Sequence, residues 1–335
     1  MLPHWSRLTL LSLLLLPLAG LFTVLVRIRR FAYSRGWISS FAVGVPVIVV
    51  GNITAGGSGK TPLVIWLVNW LIAQGLRPGV ISRGYGGQAR HCMEVQSNTT
   101  AAEVGDEPVL IHAQTQVPVV IGRDRVAAAR TLLSYHPDVN ILVSDDGLQH
   151  YRLQRQLELA VVDAGTELGN GLPLPAGPLR EPRSRLQSVD AVIHIFRGDA
   201  TRAAPLQGYR ADYTLGRGYR LLARDEKIEL VNMPRGPWLA VTGIGHPQGF
   251  YALLTQLGWT FEQKTFPDHY AYAAQDIPLG KPVVMTEKDA VKCAAFARPD
   301  WWALELEVQP DEKLIAFLRS RIQTLCQQER ACPPL

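Results

Sequence analysis

The sequence has few cysteines, and none of them stands in a recognisable pair. Its 335 residues include only Cys92, Cys293, Cys326 and Cys332, and no two of them form a CxxC motif. This spacing excludes the disulfide framework of a small secreted domain. We therefore predict reduced thiols and a cytosolic compartment for the folded chain.

Strong charge and repetitive sequence are also missing. Charged residues make up 19% of the chain, and 34 basic residues against 29 acidic ones leave a net charge of +5. This small excess agrees with an anionic partner such as a nucleotide, a phospholipid or a nucleic acid, but it does not choose among them. The chain has no internal repeat or low-complexity tract, and 47% of its residues are hydrophobic, which excludes a disordered chain and allows two ordinary domains.

An uncharged run of 19 residues, 8–26, lies near the amino terminus. As a helix it would extend about 28 Å, close to the thickness of a bilayer's hydrocarbon layer. No clear A-x-A site ends the run, which disfavours a cleaved signal peptide, and arginines follow at positions 27, 29, 30 and 35. These arginines favour a cytoplasmic side for everything downstream. Because Pro17 and Gly20 interrupt the run, a kinked helix that dips into one leaflet remains an alternative to a spanning helix.

After this segment, short apolar strands alternate with helices. The alternation predicts an α/β fold in which a doubly wound parallel sheet of the P-loop NTPase type carries helices on both faces. Residues 208–231 alternate polar and apolar side chains around a Gly-Arg-Gly turn, which predicts a β-hairpin. We predict four segments: a membrane-associated helix at 1–37, a kinase-type domain at 38–207, the hairpin linker at 208–232 and a smaller α/β domain at 233–335. The cleft between the two domains is the expected substrate site.

The stretch "GNITAGGSGKTP", residues 51–62, lies between an apolar strand and an apolar helix. It matches the P-loop pattern GxxxxGK[ST] at Gly59, Lys60 and Thr61, but Thr54 occupies the first glycine's place. Glycine backbone can turn its N–H groups onto phosphate oxygens, Lys60 would reach the β- and γ-phosphates, and Thr61 would ligate Mg²⁺. The predicted nucleotide-binding residues are Thr54, Ala55, Gly56, Gly57, Ser58, Gly59, Lys60 and Thr61.

Two adjacent acids, Asp145 and Asp146, end the apolar strand "NILVS". An acid in this place, downstream of a P-loop, is suited to hold Mg²⁺ and its water shell. We predict that one of the two ligates the metal directly, while the other acts through water or orients Gln149 and His150.

Four further motifs leave their roles open on sequence alone. Asp106 of "GDEP" precedes an apolar run and is interpreted first as a helix N-cap. The loop "PAGPLREPRSR" carries arginines at positions 180, 183 and 185, which suit a phosphate clamp as well as an exposed basic loop. His269 of "FPDHY" falls at a predicted turn between a strand and a helix. "TEKD", residues 286–289, lacks the spacing of a guanine-reading signature and predicts only a helix start.

Taken together, the motifs resemble one family over nearly the whole chain: the tetraacyldisaccharide 4′-kinases of Gram-negative bacteria. The resemblance rests on "GNITAGGSGKTP", "SRGYGG", "GDEP", "DDGLQH", "GNGLPLPAGPLREP", "TGIGHP", "FPDHY" and "TEKDAVK", in that order. It implies transfer of the γ-phosphate of ATP, with Mg²⁺, to the 4′-hydroxyl of a tetraacylated glucosamine disaccharide 1-phosphate, which yields lipid IVA. It also implies that the protein works at the cytoplasmic face of the inner membrane, and no nucleic-acid partner is expected.

The resemblance also implies roles for single residues. Lys60, Thr61, Asp145 and Asp146 would bind nucleotide and metal, and Arg180 would stabilise phosphate charge. Asp106 would be the general base, assisted by His269, which replaces the interpretation of Asp106 as a cap. Two alternatives differ in class: a membrane-associated P-loop ATPase that works as a switch, and a soluble kinase of a small metabolite.

Overall fold

The computed structural model describes residues 3–56, 59–197, 207–234 and 236–329. Its amino-terminal segment consists of three helices: α1 (Pro3–Ser6), α2 (Leu10–Leu14) and α3 (Leu16–Ser34). The prediction of one helix over 8–26 is wrong in its bounds, because the chain leaves α2 at Leu15 and starts α3 there, with a proline in the first turn of α3. No helix in the described part of the chain is both long enough and apolar enough to cross a membrane.

The described residues after this segment form one mixed sheet with helices packed against it. Its thirteen strands are β1 (Val47–Gly51), β2 (Pro78–Ser82), β3 (Met93–Glu94), β4 (Val119–Ile121), β5 (Ile141–Asp145), β6 (Leu157–Asp163), β7 (Ala191–Arg197), β8 (Tyr209–Arg220), β9 (Ala223–Ile228), β10 (Trp238–Thr242), β11 (Phe261–Thr265), β12 (Val283–Thr286) and β13 (Trp301–Pro310). The further α-helices are α4 (Lys60–Ala73), α5 (Ala101–Val104), α6 (Asp106–Thr115), α7 (Arg125–Tyr135), α8 (Pro247–Gln256), α9 (Glu287–Cys293) and α10 (Glu312–Glu329). Short 3₁₀ turns occupy Arg183–Ser188, Leu230–Asn232, Ala274–Asp276 and Ala294–Phe296.

The sheet has two mainly parallel halves joined by the antiparallel pair of β8 and β13, and the edge strand β3 is antiparallel to β4. Its strand order is β11-β10-β12-β13-β8-β7-β6-β1-β5-β2-β4-β3, and β9 pairs with β8. Strands β8 and β13 run antiparallel to each other, whereas β8 is parallel to β7 and β13 is parallel to β12. The predicted hairpin over 208–231 is confirmed as β8 and β9, and it belongs to the sheet itself. The predicted turn is wrong, because residues 216–218 lie inside β8 and the chain turns at Leu221 and Leu222. The predicted alternation of strands and helices is also confirmed.

The antiparallel β8–β13 pair brings the carboxyl ends of the parallel strands of the two halves toward each other. The first half of β8 pairs with β7 up to Tyr213, and the first half of β13 pairs with β12 up to Leu304. Because β8 and β13 are antiparallel, the carboxyl ends of β7 and β12 both point toward the middle of the pair. A bulge between Leu304 and Leu306 marks this middle. The loops that follow strands in either half therefore open onto one shared gap, which is where α/β sheets bind ligands.

Strand β1 lies at the centre of the first half, between β5 and β6. All five of its residues are buried, so the strand is a continuous apolar run. Ile48 and Val50 pack with the apolar face of α4, while Val47 and Val49 pack on the opposite side with residues of α7. This double packing fixes the end of β1, and with it the start of the P-loop.

Candidate active site

The P-loop follows β1 and ends at Gly59, the N-cap of α4. Gly59 has a φ of +76°, a left-handed conformation that glycine adopts without a steric penalty. The Tyr213 hydroxyl of β8 donates a hydrogen bond to the Gly59 carbonyl oxygen and holds this turn against the sheet. Gly57 and Ser58, predicted to bind phosphate, lie outside the described residues.

Thr54, which replaces the first glycine of the pattern, has a structural reason to be there. It forms an antiparallel bridge with Leu179, and its hydroxyl accepts a hydrogen bond from the Asn52 side chain (3.1 Å). The neighbouring backbone is paired as well, since Ala55 N–H donates to the Pro178 carbonyl (2.7 Å). The first part of the P-loop is thus a short strand-like segment fastened to the loop at 175–185.

Asp145 and Asp146 lie beside the P-loop and face different surroundings. Asp145 is the last residue of β5, paired in register with Val50 of β1, and its carboxylate accepts a hydrogen bond from the Ser82 hydroxyl (3.1 Å). Asp146 has a φ of +48°, which turns its side chain toward Lys60 and Arg180. Its carboxylate lies 3.3 Å from Lys60 Nζ and 3.0 Å from Arg180 Nη1.

The surroundings of Asp145 and Asp146 also shift the pKa values of the two carboxyl groups in opposite directions. Burial, followed by the negative charge of Glu107, raises the pKa of Asp145 to about 7. Burial also opposes ionisation of Asp146, but the charges of Lys60 and Arg180 outweigh it and hold that pKa well below its usual range. Asp146 is therefore the permanently charged member of the pair.

Of the three arginines in the loop at 175–185, which we call the arginine loop, only Arg180 contacts Asp146. Arg185 is 2% exposed and forms ion pairs with Glu158 (2.5 Å) and Glu181 (3.5 Å). Arg183 is exposed in the same 3₁₀ turn. The hypothesis of a three-arginine phosphate clamp therefore fails for Arg185, whose charge is already neutralised inside the fold.

Asp106 and His269, from opposite halves of the sheet, form a hydrogen-bonded pair that we call the dyad. His269 Nδ1 lies 3.1 Å from both carboxylate oxygens of Asp106, and because a carboxylate only accepts, this nitrogen carries the proton. The ring of Tyr85 packs edge-on against the imidazole, with centroids 5.0 Å apart. Gly105, not Asp106, is the N-cap of α6, while Asp106 is its first residue and accepts the Glu107 N–H (2.9 Å). The simple N-cap interpretation of Asp106 is therefore wrong.

A cavity of about 820 Å³ occupies the gap between the halves, and we call it the central cavity. Its wall includes Lys60, Asp146 and Arg180 from the P-loop side and His269 from the other half. Its floor includes Leu306 of the bulged β8–β13 pair. Asp106 is 3% exposed, so the imidazole is the member of the dyad that meets the cavity. The P-loop side chains and the dyad thus share one cavity.

Comparison with known proteins agrees with this geometry. The model of the tetraacyldisaccharide-1-P 4′-kinase family (LpxK) matches residues 11–323. The chain belongs to this family. It is 58% identical to the tetraacyldisaccharide 4′-kinase of Thiobacillus denitrificans, over 95% of this chain and 97% of that protein. It is 45% identical to that of Methylobacillus flagellatus, over 97% and 96% of the two chains.

A solved structure of the family has the same fold. The crystal structure of LpxK from Aquifex aeolicus in complex with ATP superimposes with a TM-score of 0.80 at 26% identity, covering 94% of this chain and 99% of that one. Family membership confirms the predicted resemblance and fold class, and it makes the protein an enzyme of the kinase class.

Several side chains at this candidate site are not marked by any pattern in the sequence. Arg125 is 2% exposed and donates to the carbonyl oxygens of Gly122 (2.6 Å) and Asp145 (3.1 Å), so it fixes the end of β5. Lys288 and Lys292 of α9 reach the Asp106 carboxylate. A lone buried arginine or lysine gives no pattern in a single sequence, and its partners are distant along the chain.

Proposed function

We propose that this kinase transfers the γ-phosphoryl group of ATP to the 4′-hydroxyl of a tetraacylated glucosamine disaccharide 1-phosphate, giving lipid IVA and ADP. The observation that carries the proposal is the central cavity, where a P-loop lysine and the dyad face the same space. Family membership supports the acceptor, and the ATP complex of the Aquifex aeolicus relative supports the donor.

Lys60 and Arg180 are the cations for the phosphates in this proposal. Both converge on Asp146, so their charges are held at one place before any phosphate arrives. A phosphoryl group in transfer spreads negative charge over its oxygens, and preorganised cations stabilise that charge without further reorganisation. Arg180 is the more exposed of the two, which suits contact with a group that enters and leaves.

The dyad is the acceptor of the hydroxyl proton. As the 4′-oxygen forms its bond to phosphorus and the bond to the β-phosphate oxygen breaks, the hydroxyl proton passes to the dyad. His269 lines the cavity, and Asp106 behind it holds the Nδ1–H and balances the charge. The imidazole is therefore the group that touches the sugar, with the carboxylate acting through it.

Thr61, Asp145 and Asp146 are the proposed Mg²⁺ ligands. The residues fit such an ion: Asp145 Oδ1 is buried and accepts no hydrogen bond within the described part of the chain, and Asp146 Oδ1, also buried, has the Lys60 ammonium 3.3 Å away. Oxygen donors of this kind are what Mg²⁺ prefers. When bound, Mg²⁺ would neutralise charge on the β- and γ-phosphates.

A second acidic cluster is a poorer candidate for a metal. Asp106, Glu107 and His269 offer donor atoms within 4.8 Å of one another. However, Lys288 Nζ lies 2.9 Å from Glu107, and Lys292 Nζ lies 3.8 Å from Asp106. Asp146 is likewise paired with Lys60 and Arg180, but the P-loop side also offers Asp145 Oδ1, which is buried and accepts no hydrogen bond in the described residues. The metal assignment therefore stays with the P-loop side.

The metal assignment predicts an effect of Asp146→Asn. The substitution removes a charged donor at constant size, so the Mg²⁺ concentration for half-maximal activity should rise about tenfold or more. Activity measured across a Mg²⁺ titration checks this. Asp138→Asn is the matched control, since Asp138 is exposed in the turn between α7 and β5. An unchanged Mg²⁺ requirement in the Asp146 variant would remove this residue from the metal site.

The amino-terminal helices are the proposed membrane contact. Their leucines are unusually exposed, for example Leu10 (74%), Leu14 (69%), Leu21 (58%) and Leu25 (57%). Soluble monomers rarely expose a contiguous apolar surface of this kind, which marks interaction with a membrane or a partner. Trp5 donates from its indole to the Pro175 carbonyl (3.2 Å), which ties the segment to the arginine loop. The enzyme would lie on the cytoplasmic face of the inner membrane, where ATP is available.

Changing these four leucines to serine should weaken binding to anionic phospholipid vesicles at least about tenfold, because each leucine contributes on the order of 1 kcal/mol on partial burial. Vesicle co-sedimentation measures the loss, and ATP binding should be unchanged. Leu222→Ser with Leu279→Ser is the control, since both side chains are exposed outside this segment. Equal vesicle binding by the leucine variant would place the membrane contact elsewhere.

One experiment tests the proposed function against its alternatives. Labelled ATP is supplied with the acylated disaccharide 1-phosphate in mixed micelles, with a water-soluble sugar, or with neither. Label in the lipid supports the proposal. Release of free phosphate alone would favour an ATPase switch, and label in the soluble sugar alone would favour a metabolite kinase.

A further inference from the structure

Helix α9 presents two lysines, one turn apart, to the amino terminus of α6. Residues four apart lie on one face of a helix, so Lys288 and Lys292 extend in the same direction. Their Nζ atoms lie 4.0 Å and 3.8 Å from the same oxygen, Oδ2 of Asp106. Both are largely withdrawn from solvent, Lys292 more than Lys288. The two lysines of the second half of the sheet therefore contact an acid that belongs to the first half.

Lys292 is held in place by Asp289. The Asp289 carboxylate is fully buried and lies 2.9 Å from Lys292 Nζ. The contact is an ion pair, and the carboxylate accepts its hydrogen bonds from Thr242 Oγ1 (3.0 Å), Gly243 N–H (3.1 Å), Tyr272 Oη (3.0 Å) and Thr286 Oγ1 (2.7 Å). One carboxylate therefore fastens α9 to the end of β10 and to the segment that follows His269. The Lys292 ammonium is fixed between this anchor and Asp106.

Lys288 ties together the two segments that carry the dyad. Its Nζ lies 2.9 Å from Glu107 and 3.7 Å from Asp268, the neighbours of Asp106 and His269 in the chain. Burial lowers the pKa of Lys288, but the charges of Glu107, Asp106 and Asp268 outweigh it and raise that pKa above its ordinary value. Lys288 therefore carries a full positive charge at any physiological pH.

The charged groups around Asp106 come from three elements. They are Glu107 from α6, Asp268 and His269 from the segment after β11, and Lys288, Asp289 and Lys292 from α9. Burial raises the pKa of Asp106, but the hydrogen bond from His269 and the charges of Lys288, His269 and Lys292 hold it below its ordinary value. A carboxylate that is 3% exposed would otherwise favour its neutral form.

We propose that Lys292, anchored by Asp289 and assisted by Lys288, is a positioning residue that fixes the charge and the orientation of Asp106. The inference rests on the proposed role of the dyad in accepting the hydroxyl proton. It assigns to α9 a part in the reaction through Lys292, which does not line the central cavity and would act through Asp106. It also gives the "TEKDAVK" stretch a purpose beyond starting a helix.

The test is the pH dependence of kcat/KM for Lys292→Met. Removing a positive charge favours the protonated dyad, so the acid limb of the profile should move to higher pH by about one unit. The alkaline plateau should be retained, because the dyad and the phosphate cations are still present. Lys292→Arg, which keeps the charge, should restore the wild-type limb. Lys281→Met is the matched control, since Lys281 is exposed and paired with Glu262 on the surface.

A different outcome overturns the inference. If Lys292→Met lowers the rate equally at every pH and leaves the acid limb in place, the lysine only packs. If this variant fails to fold, as judged by Tm and ATP binding, Lys288→Met is measured in the same way, since the ion pair with Asp289 is made by Lys292. If both variants unfold, or neither moves the limb, the lysines are structural and the proposal is wrong.

The Asp106→Asn background separates this inference from the proposed function. In the Asp106→Asn enzyme, adding Lys292→Met should not change the residual kcat/KM or its dependence on pH, because Lys292 acts only through the Asp106 carboxylate. An Asp106→Asn enzyme with wild-type kcat would overturn the dyad itself. If Asp106→Asn strongly lowers kcat but the acid limb stays in place in the lysine variants, only the proposed role of α9 is wrong.

Discussion

Replacing Lys60 by methionine is expected to lower kcat by at least about a hundredfold, because the variant loses a preorganised charge at the transferring phosphoryl group. Methionine keeps the aliphatic stem, so the comparison isolates the ammonium. Transfer of label from ATP to the acylated disaccharide measures the effect. Lys281→Met, on the exposed surface, should leave kcat unchanged.

The fold should survive this substitution. The Lys60 ammonium lies against Asp146, and Arg180 still contacts Asp146 at 3.0 Å when Lys60 is gone. The remaining charge pair limits the cost of burying the carboxylate. Wild-type turnover in a folded Lys60→Met enzyme would contradict the assignment of the P-loop as the phosphate site, whereas an unfolded variant would show that Lys60 is needed first for stability.

Replacing Asp106 by asparagine is expected to lower kcat by about 10² to 10⁴, the usual contribution of a positioned base, with ATP affinity nearly unchanged. Asparagine can still accept the Glu107 N–H, so α6 should begin as before. The substitution also removes the buried carboxylate partner of Lys288 and Lys292, so the free energy of unfolding should fall as well, by on the order of 3 kcal/mol. A purely structural residue would lower Tm too, but would leave the kcat of the folded enzyme nearly normal.

The second member of the dyad makes this prediction sharper. His269→Ala alone should also lower kcat, and the double variant should be only slightly worse than the more damaging single one, because residues that act as a unit are non-additive. His269 Nδ1 lies 3.1 Å from both Asp106 oxygens, so either substitution breaks the same pair. Fully additive losses would mean that the two side chains act separately.

The P-loop side of the site was predictable from sequence because local patterns specify it. A strand, a glycine-rich turn and a helix in succession place Lys60, and the acid that ends β5 lies beside β1 once the sheet is parallel. The start of α9 at Thr286 was predictable for the same reason, since Thr286 accepts the Asp289 N–H as a local N-cap (3.2 Å). These features depend on residues close together in the chain.

The rest depends on contacts between distant segments. The residues around Asp106 alone predict a helix cap, and only the family resemblance indicates His269, which lies 163 positions away. Nothing local marks Lys292 as a neighbour of Asp106, or Arg185 as the buried partner of Glu158 and Glu181. The length of the apolar run predicts one helix, but it does not indicate that α2 ends and α3 begins around Leu15.

The sheet that joins the two halves has a consequence for how the chain can be divided. Cutting the chain between β7 and β8 would leave β7 as an open edge, since its partner over five residues is β8. The carboxyl-terminal fragment would keep the β8–β13 ladder but would expose the other side of β8. Unprotected edges of this kind invite pairing with other chains. The halves are thus not interchangeable modules, and a functional split enzyme or a domain transplant would have to keep β8 together with β7 and β13.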